Sequence, residues 1–261
     1  MRFASPGSNL TSDPKARFTR HAEFYSKYRP GYPKSVLQFL ERGLGFSSSS
    51  IVADVGSGTG IFAEMLLENG NVVFGVEPNG EMRKIAEAKL SSYSNFRSVN
   101  ASAESTTLPD SSVDYVTSAQ SFHWFDRIRA REEFGRILRA DGWMVLVWNS
   151  RRTNTPFLQA YDEMVRRSPF EKRAVRHEDL TDEILSKFLG TDYRTAKLSN
   201  VQECDEASFR GRVLSSSYSP VPDDPLYEKL LGSLSELFRR FQVNCRVRFE
   251  YDTEVYAGQL R

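Results

Sequence analysis

Val52-Ala53-Asp54-Val55-Gly56-Ser57-Gly58-Thr59-Gly60 is the stretch from which the rest of the chain can be read. An apolar run, Ile51 to Val55, ends in three alternate glycines, and Ile61, Phe62, Met65 and Leu66 then fall on one face of an amphipathic segment. The order is strand, tight turn, helix, which is how a loop and a helix N-terminus cradle a nucleotide or phosphate. Backbone without Cβ atoms takes positive φ and lets a ligand lie against the main chain. Spacing narrows the ligand. A dinucleotide turn, G-x-G-x-x-G, needs its third glycine where Ile61 stands, and a P-loop needs Lys then Ser or Thr where Ile61 and Phe62 stand.

Working outward, Asn71 to Val76 reads as a second strand ending at Glu77, 17 residues beyond Gly60. A carboxylate at that strand tip can accept hydrogen bonds from both hydroxyls of a ribose. Asn79 caps a helix running to about Leu90, and Asn95 to Asn100 reads as the third strand. Val113 to Ala119 forms the fourth, followed by Gln120-Ser121-Phe122-His123-Trp124-Phe125-Asp126. Asp126 opens a helix whose buried stripe is Ala130, Phe134, Ile137 and Leu138 and whose end is set at Gly142; Trp143 to Trp148 is an apolar fifth strand. These alternations predict an α/β fold: a doubly wound, mostly parallel seven-stranded sheet with right-handed crossovers. In such sheets ligands sit beyond the carboxyl ends of the strands, where Asp54, Glu77 and Gln120 to Asp126 fall.

Asp-x-Gly-x-Gly-x-Gly at 54–60 resembles the first motif of the class I S-adenosylmethionine-dependent methyltransferases. Gln120-x-x-His123-Trp124-Phe125-Asp126 resembles the fourth motif of the branch that includes trans-aconitate methyltransferase. Tyr25-x-x-Tyr28-Arg29-Pro30-x-Tyr32-Pro33 and Gly211-Arg212 to Tyr218-x-Pro220 resemble further segments of that branch. The resemblance implies a Rossmann-like fold with a helical insertion between strands five and six, and S-adenosylmethionine as cofactor. It implies cofactor contacts from Tyr25, Arg29, Asp54, Gly56, Ser57, Gly58, Gly60, Glu77 and Gln120, with Tyr28 beside them. Ala103 and Glu104 match the Ala-Glu of an adenine-side segment, but Ser102 stands where many relatives carry Asp. The adenine acceptor is therefore open between Glu104 and a backbone carbonyl. Trp124, Arg212 and Tyr218 are implied on the acceptor side, with His123 as the base for a hydroxyl or amine acceptor. A small carboxylic acid, methylated to an ester, would need no base, and Arg29 or Arg212 would clamp it.

Residues 1–16 are polar and read as a disordered tail. Residues 17–150 form the cofactor half with an aromatic, cationic cover segment, 151–195 a helical lid, and 196–261 the completion of the same domain. Near the end, Leu226 to Phe241 is an amphipathic helix. Val247, Phe249, Tyr251, Thr253 and Val255 then alternate with charged residues, which predicts an edge strand.

With 35 basic against 34 acidic residues, net charge gives no support to a nucleic-acid or anionic-membrane partner. Cys204 and Cys245 have no metal-like spacing, and no apolar run approaches the length of a membrane span, so a cytoplasmic protein without a metal is expected. The competing functions are a methyltransferase for a macromolecular acceptor and a non-catalytic S-adenosylmethionine-binding protein.

Overall fold

The computed structural model describes residues 24–167, 180–216, 219–220 and 222–260. The expected tail and Tyr218 lie outside the described residues. Along the chain come α1 (Ser35–Leu44), β1 (Ile51–Val55), α2 (Ile61–Glu68), β2 (Val72–Val76), α3 (Gly80–Lys89) and β3 (Phe96–Val99). They are followed by β4 (Val113–Ala119), α4 (Arg127–Ile137), β5 (Leu138–Arg151), α5 (Pro156–Arg167) and α6 (Asp182–Leu189). The chain closes with β6 (Arg194–Cys204), α7 (Glu206–Leu214), α8 (Tyr227–Phe241) and β7 (Val247–Gly258). The sheet order is β3-β2-β1-β4-β5-β7-β6. The first five strands run parallel, and β7 is antiparallel to β5 and to β6. No helix among the described residues is long and apolar enough to cross a membrane.

Because side chains alternate across a strand, each central strand feeds two cores. Val52 joins α1 and α2 on one face, through Leu40, Phe62 and Leu66; Ala53 and Val55 join α4 and α6 on the other, through Phe134, Ile137 and Phe188. A third core gathers α5, α7 and α8 on Val247, Phe249 and Tyr251 of β7. The Asn79 and Asp126 side chains cap α3 and α4 as their positions require.

Two details differ from the expectations. The α4 helix stops at Ile137, not Gly142: Leu138 is already extended, and β5 starts there with a register shift opposite Val113 and Tyr115. β7 is internal rather than an edge, since β5 and β6 both pair with it. Its alternation reports one helix-covered face and one solvent face, where Asp252 takes Arg152 (2.6 Å) and Lys197 (2.9 Å). Within the expected lid segment, α5 belongs to the third core, whereas Leu185, Phe188 and Leu189 of α6 are buried beneath α4, with Phe188 4.6 Å from Phe122 just past the tip of β4.

Candidate active site

The loop after β1 is fixed to β2 before any ligand arrives. The backbone N–H groups of Gly56 and Ser57 both donate to the Val76 carbonyl, at 2.8 and 3.2 Å. Gly56 has φ +69°, and a Cβ there would meet the Ser121 side chain at 2.5 Å. Ser121 cannot retreat easily, because its hydroxyl donates to the Val55 carbonyl (2.9 Å) and sits 2.8 Å from Ser118 Oγ. Gly58, at φ +56°, is different: a Cβ would meet only Met82 Sδ at 3.8 Å, so this part of the loop faces open space. Gly60 borders neither chamber described below. It starts α2 in the left-handed conformation, and a Cβ there would strike Leu90 at 2.7 Å, so close packing against α3 also calls for glycine at this position.

Two carboxylates close the tips of β1 and β2. Glu77 is buried; its Oε2 accepts from Gly58 N–H (2.9 Å) and its Oε1 from Asn79 N–H (2.8 Å). A carboxylate at this strand tip is the kind of acceptor a ribose diol calls for. Asp54 is also buried; its Oδ1 accepts from the Thr117 hydroxyl (2.9 Å), and its Oδ2 has no hydrogen-bond partner among the described residues. Burial pushes the Asp54 carboxyl up to about 7; the Thr117 hydrogen bond opposes this and the Glu77 charge adds to it.

At the tip of β4, Gln120 holds φ +61°, a conformation unusual for a residue with a side chain. Its N–H donates to Val147 (3.0 Å) and its side-chain amide to the Asn149 carbonyl (3.2 Å). Such local strain is tolerated where the surrounding bonds over-determine it. The next turn carries His123 between two indoles, its ring centroid 4.5 Å from Trp124 and 5.3 Å from Trp148.

These parts enclose two adjoining chambers of about 360 Å³ each. Tyr25, Gly56, Gly58, Gln120 and Trp124 border both. The first holds Asp54, Ser57, His123, Arg29, Arg151 and Arg212; the second holds Glu77, Ser102, Ala103, Glu104 and Phe125. A long molecule with a cation at one end and a ribose at the other fits this plan. The orphaned Asp54 oxygen suits its ammonium, open Gly58 its middle, and Glu77 its diol. Glu104 borders the second chamber, but one of its oxygens already accepts from Asp126 N–H at 2.9 Å.

Of the residues expected from sequence, all except Tyr28, Gly60 and the undescribed Tyr218 border a chamber. The Tyr28 ring packs against Gly211, where a Cβ would be 2.3 Å from it. That contact, with Gln202 donating to Tyr28 O (2.8 Å) and Arg29 to Ser215 O (3.2 Å), straps the N-terminal segment across β6 and α7. Sequence reading missed Tyr32, Thr59, Arg151, Tyr161 and Tyr251. Thr59 sits in the quoted loop, but the aromatic positions fit a core pattern equally well, and an Arg after an apolar strand carries no signal of its own.

A family model described as a methyltransferase domain matches residues 53–146. An uncharacterized methyltransferase of Mycobacterium bovis is 32% identical over 173 residues, covering 66% of this chain and 68% of the relative. Among solved structures, a protein of Anaeromyxobacter dehalogenans named as a type II methyltransferase superposes with a TM-score of 0.69 at 20% identity, over 89% of this chain and 98% of that one. A Haemonchus contortus phosphoethanolamine N-methyltransferase holding S-adenosylhomocysteine superposes at 0.54 and 16% identity, over 96% of this chain and 59% of that one.

Proposed function

The chain belongs to the class I S-adenosylmethionine-dependent methyltransferases, and from that premise we propose that it methylates a small carboxylic acid on oxygen, forming a methyl ester. One observation carries the reading. The first chamber is bordered by three guanidinium groups, Arg29, Arg151 and Arg212, against a single carboxylate, Asp54, among the described residues. Asp54 is the candidate partner of the cofactor's ammonium, and one guanidinium would meet the cofactor's own carboxylate; the remaining positive charge of this wall favours an anionic acceptor.

When bound, S-adenosylmethionine supplies a methyl group already activated by a sulfonium. The chain's own part is then to hold and orient. Gly56, Gly58 and Glu77 fix the cofactor end through backbone and carboxylate, and Gln120 anchors the wall between the chambers. Tyr25 and Trp124 border both chambers, and an aromatic face attracts a cation. Arg212 is buried, and its Nε donates to the Tyr251 hydroxyl at 3.2 Å, so its guanidinium is oriented before an acid arrives. An ionised acid is itself the nucleophile, and no proton has to move. His123 borders the same chamber and would serve as base only for a hydroxyl or amine acceptor.

A small acceptor suits a chamber of about 360 Å³ and a chain of net charge +1 better than a nucleic acid does. The test is a panel of carboxylic acids, alcohols and amines incubated with methyl-labelled S-adenosylmethionine. Label recovered in a product that mild alkali releases as methanol supports the ester. Label only in alkali-stable products would remove it and return His123 to the centre of the chemistry.

A further inference from the structure

Arg151 is the last residue of β5, at the point where the chain leaves the sheet for α5. Two residues of α5 hold its guanidinium. Nη2 donates to Asp162 Oδ1 at 2.9 Å, and the guanidinium carbon lies 4.4 Å from the centre of the Tyr161 ring. Asp162 is itself fixed from behind, its other oxygen 2.5 Å from Arg166 Nη2. Tyr161 packs edge-on to Phe249 at 5.2 Å, and Phe249 lies 5.8 Å from the Arg212 guanidinium. One aromatic group therefore seats both arginines. Arg151 Nη1 is buried and has no hydrogen-bond partner among the described residues, although its residue borders the first chamber. A buried guanidinium donor without an acceptor is costly, so a partner supplied by a ligand would be strongly favoured.

We propose that Arg151 determines acceptor specificity by donating through Nη1 to the acceptor's anionic group, and that Asp162 is its positioning residue. The inference rests on the anionic-acceptor reading above. It adds that α5, through Tyr161 and Asp162, is the element on which recognition depends, and that Asp162 never touches the acceptor. Arg166, on the outer side of Asp162, is exposed.

The test compares each acid with its own primary amide: cinnamate, phenylacetate and glutarate against cinnamamide, phenylacetamide and glutaramide. Each is titrated calorimetrically into protein saturated with S-adenosylhomocysteine. Wild type should prefer at least one acid over its amide by about tenfold or more, the range for a hydrogen bond to a charged group. Arg151→Met should abolish the preference, and Asp162→Asn should reduce it several-fold, while affinity for S-adenosylhomocysteine stays within about twofold in both. Arg151→Lys, which keeps the charge and loses the planar fork, should retain an intermediate preference and controls for misfolding. An undiminished preference in Arg151→Met and Asp162→Asn overturns this proposal alone. Wild type that binds no acid more tightly than its amide, whether by equal binding or by none, overturns this proposal and the carboxylic-acid reading together.

Discussion

The two ends of the site are built on different principles. Around the glycine loop the cofactor chamber is made by backbone: N–H groups on the Val76 carbonyl, a Gly58 N–H on Glu77, and a loop shape that only small residues permit. The arginine-lined end, which we propose takes the acceptor, is made by side chains from distant parts of the chain. Arg29 comes from the N-terminal strap, Arg151 from the end of β5, Tyr161 from α5 and Arg212 from α7. The family match at 53–146 covers the first end and none of those four residues. A backbone-built site tolerates few sequences, whereas a side-chain site can be rebuilt by single substitutions without disturbing the sheet.

Substitutions should separate the two ends, and the largest effect belongs to the loop. Gly56→Val places a branched side chain at positive φ against the fixed Ser121, and we expect a loss of about 3 kcal/mol or more, read as a fall in melting temperature on the order of 10 °C. Gly58→Ala, two residues on, has space and should cost only about 1 kcal/mol of stability while weakening S-adenosylmethionine about tenfold or more. Equal stability losses at the two positions would contradict the division between packing and ligand contact.

Asp54 sharpens the comparison in the opposite direction, because its burial favours the ligand at the expense of the fold. Its folded value of about 7 lies above the ordinary 3.8, so between those values the folded chain holds a proton that the unfolded chain has released. Stability contributed by this group is therefore lost as pH rises through that window, and the penalty is complete above about 7. Asp54→Asn should raise the melting temperature of the ligand-free protein at pH 8, by on the order of 2 kcal/mol in stability, with little difference near pH 4. The same variant should bind S-adenosylmethionine more weakly. Thermal scans across pH that show the two proteins parallel would dismiss the buried charge.

The acceptor end should respond more mildly. Gly211→Ala forces the Tyr28 ring off α7, and we expect a stability loss of about 1–2 kcal/mol together with a raised KM for the acceptor. Its affinity for S-adenosylmethionine should change less than in Gly58→Ala. A reversed order of effects would put the strap on the cofactor side of the site.

The same contrast explains what could be read from the sequence. Motif spacing pointed to Asp54, the glycine loop and Glu77, and the resemblance to Gln120, because a turn that a ligand must approach leaves a fixed pattern of residue types; the structure brings them to the walls of the two chambers. Strand-and-helix periodicity yielded the parallel half of the sheet for a similar reason. Alternation in β7 was read as an edge because alternation reports which face is covered and carries no information about how many neighbours a strand has. The end of α4 was misplaced since Gly142 looks like a helix stop, yet tertiary pairing with β4 pulls the chain into strand from Leu138. Arg151 and Tyr161 gave no signal at all, because they meet only once α5 folds back onto the end of β5.

The central claim is that Glu77 and the glycine loop hold S-adenosylmethionine, and calorimetric titration of the purified protein and of Glu77→Ala tests it most directly. The account predicts saturable binding in the micromolar range by the wild type and a loss of about tenfold or more in the variant, which gives up a charged acceptor at the ribose. No heat with S-adenosylmethionine, together with clear binding of a nicotinamide dinucleotide, would contradict it.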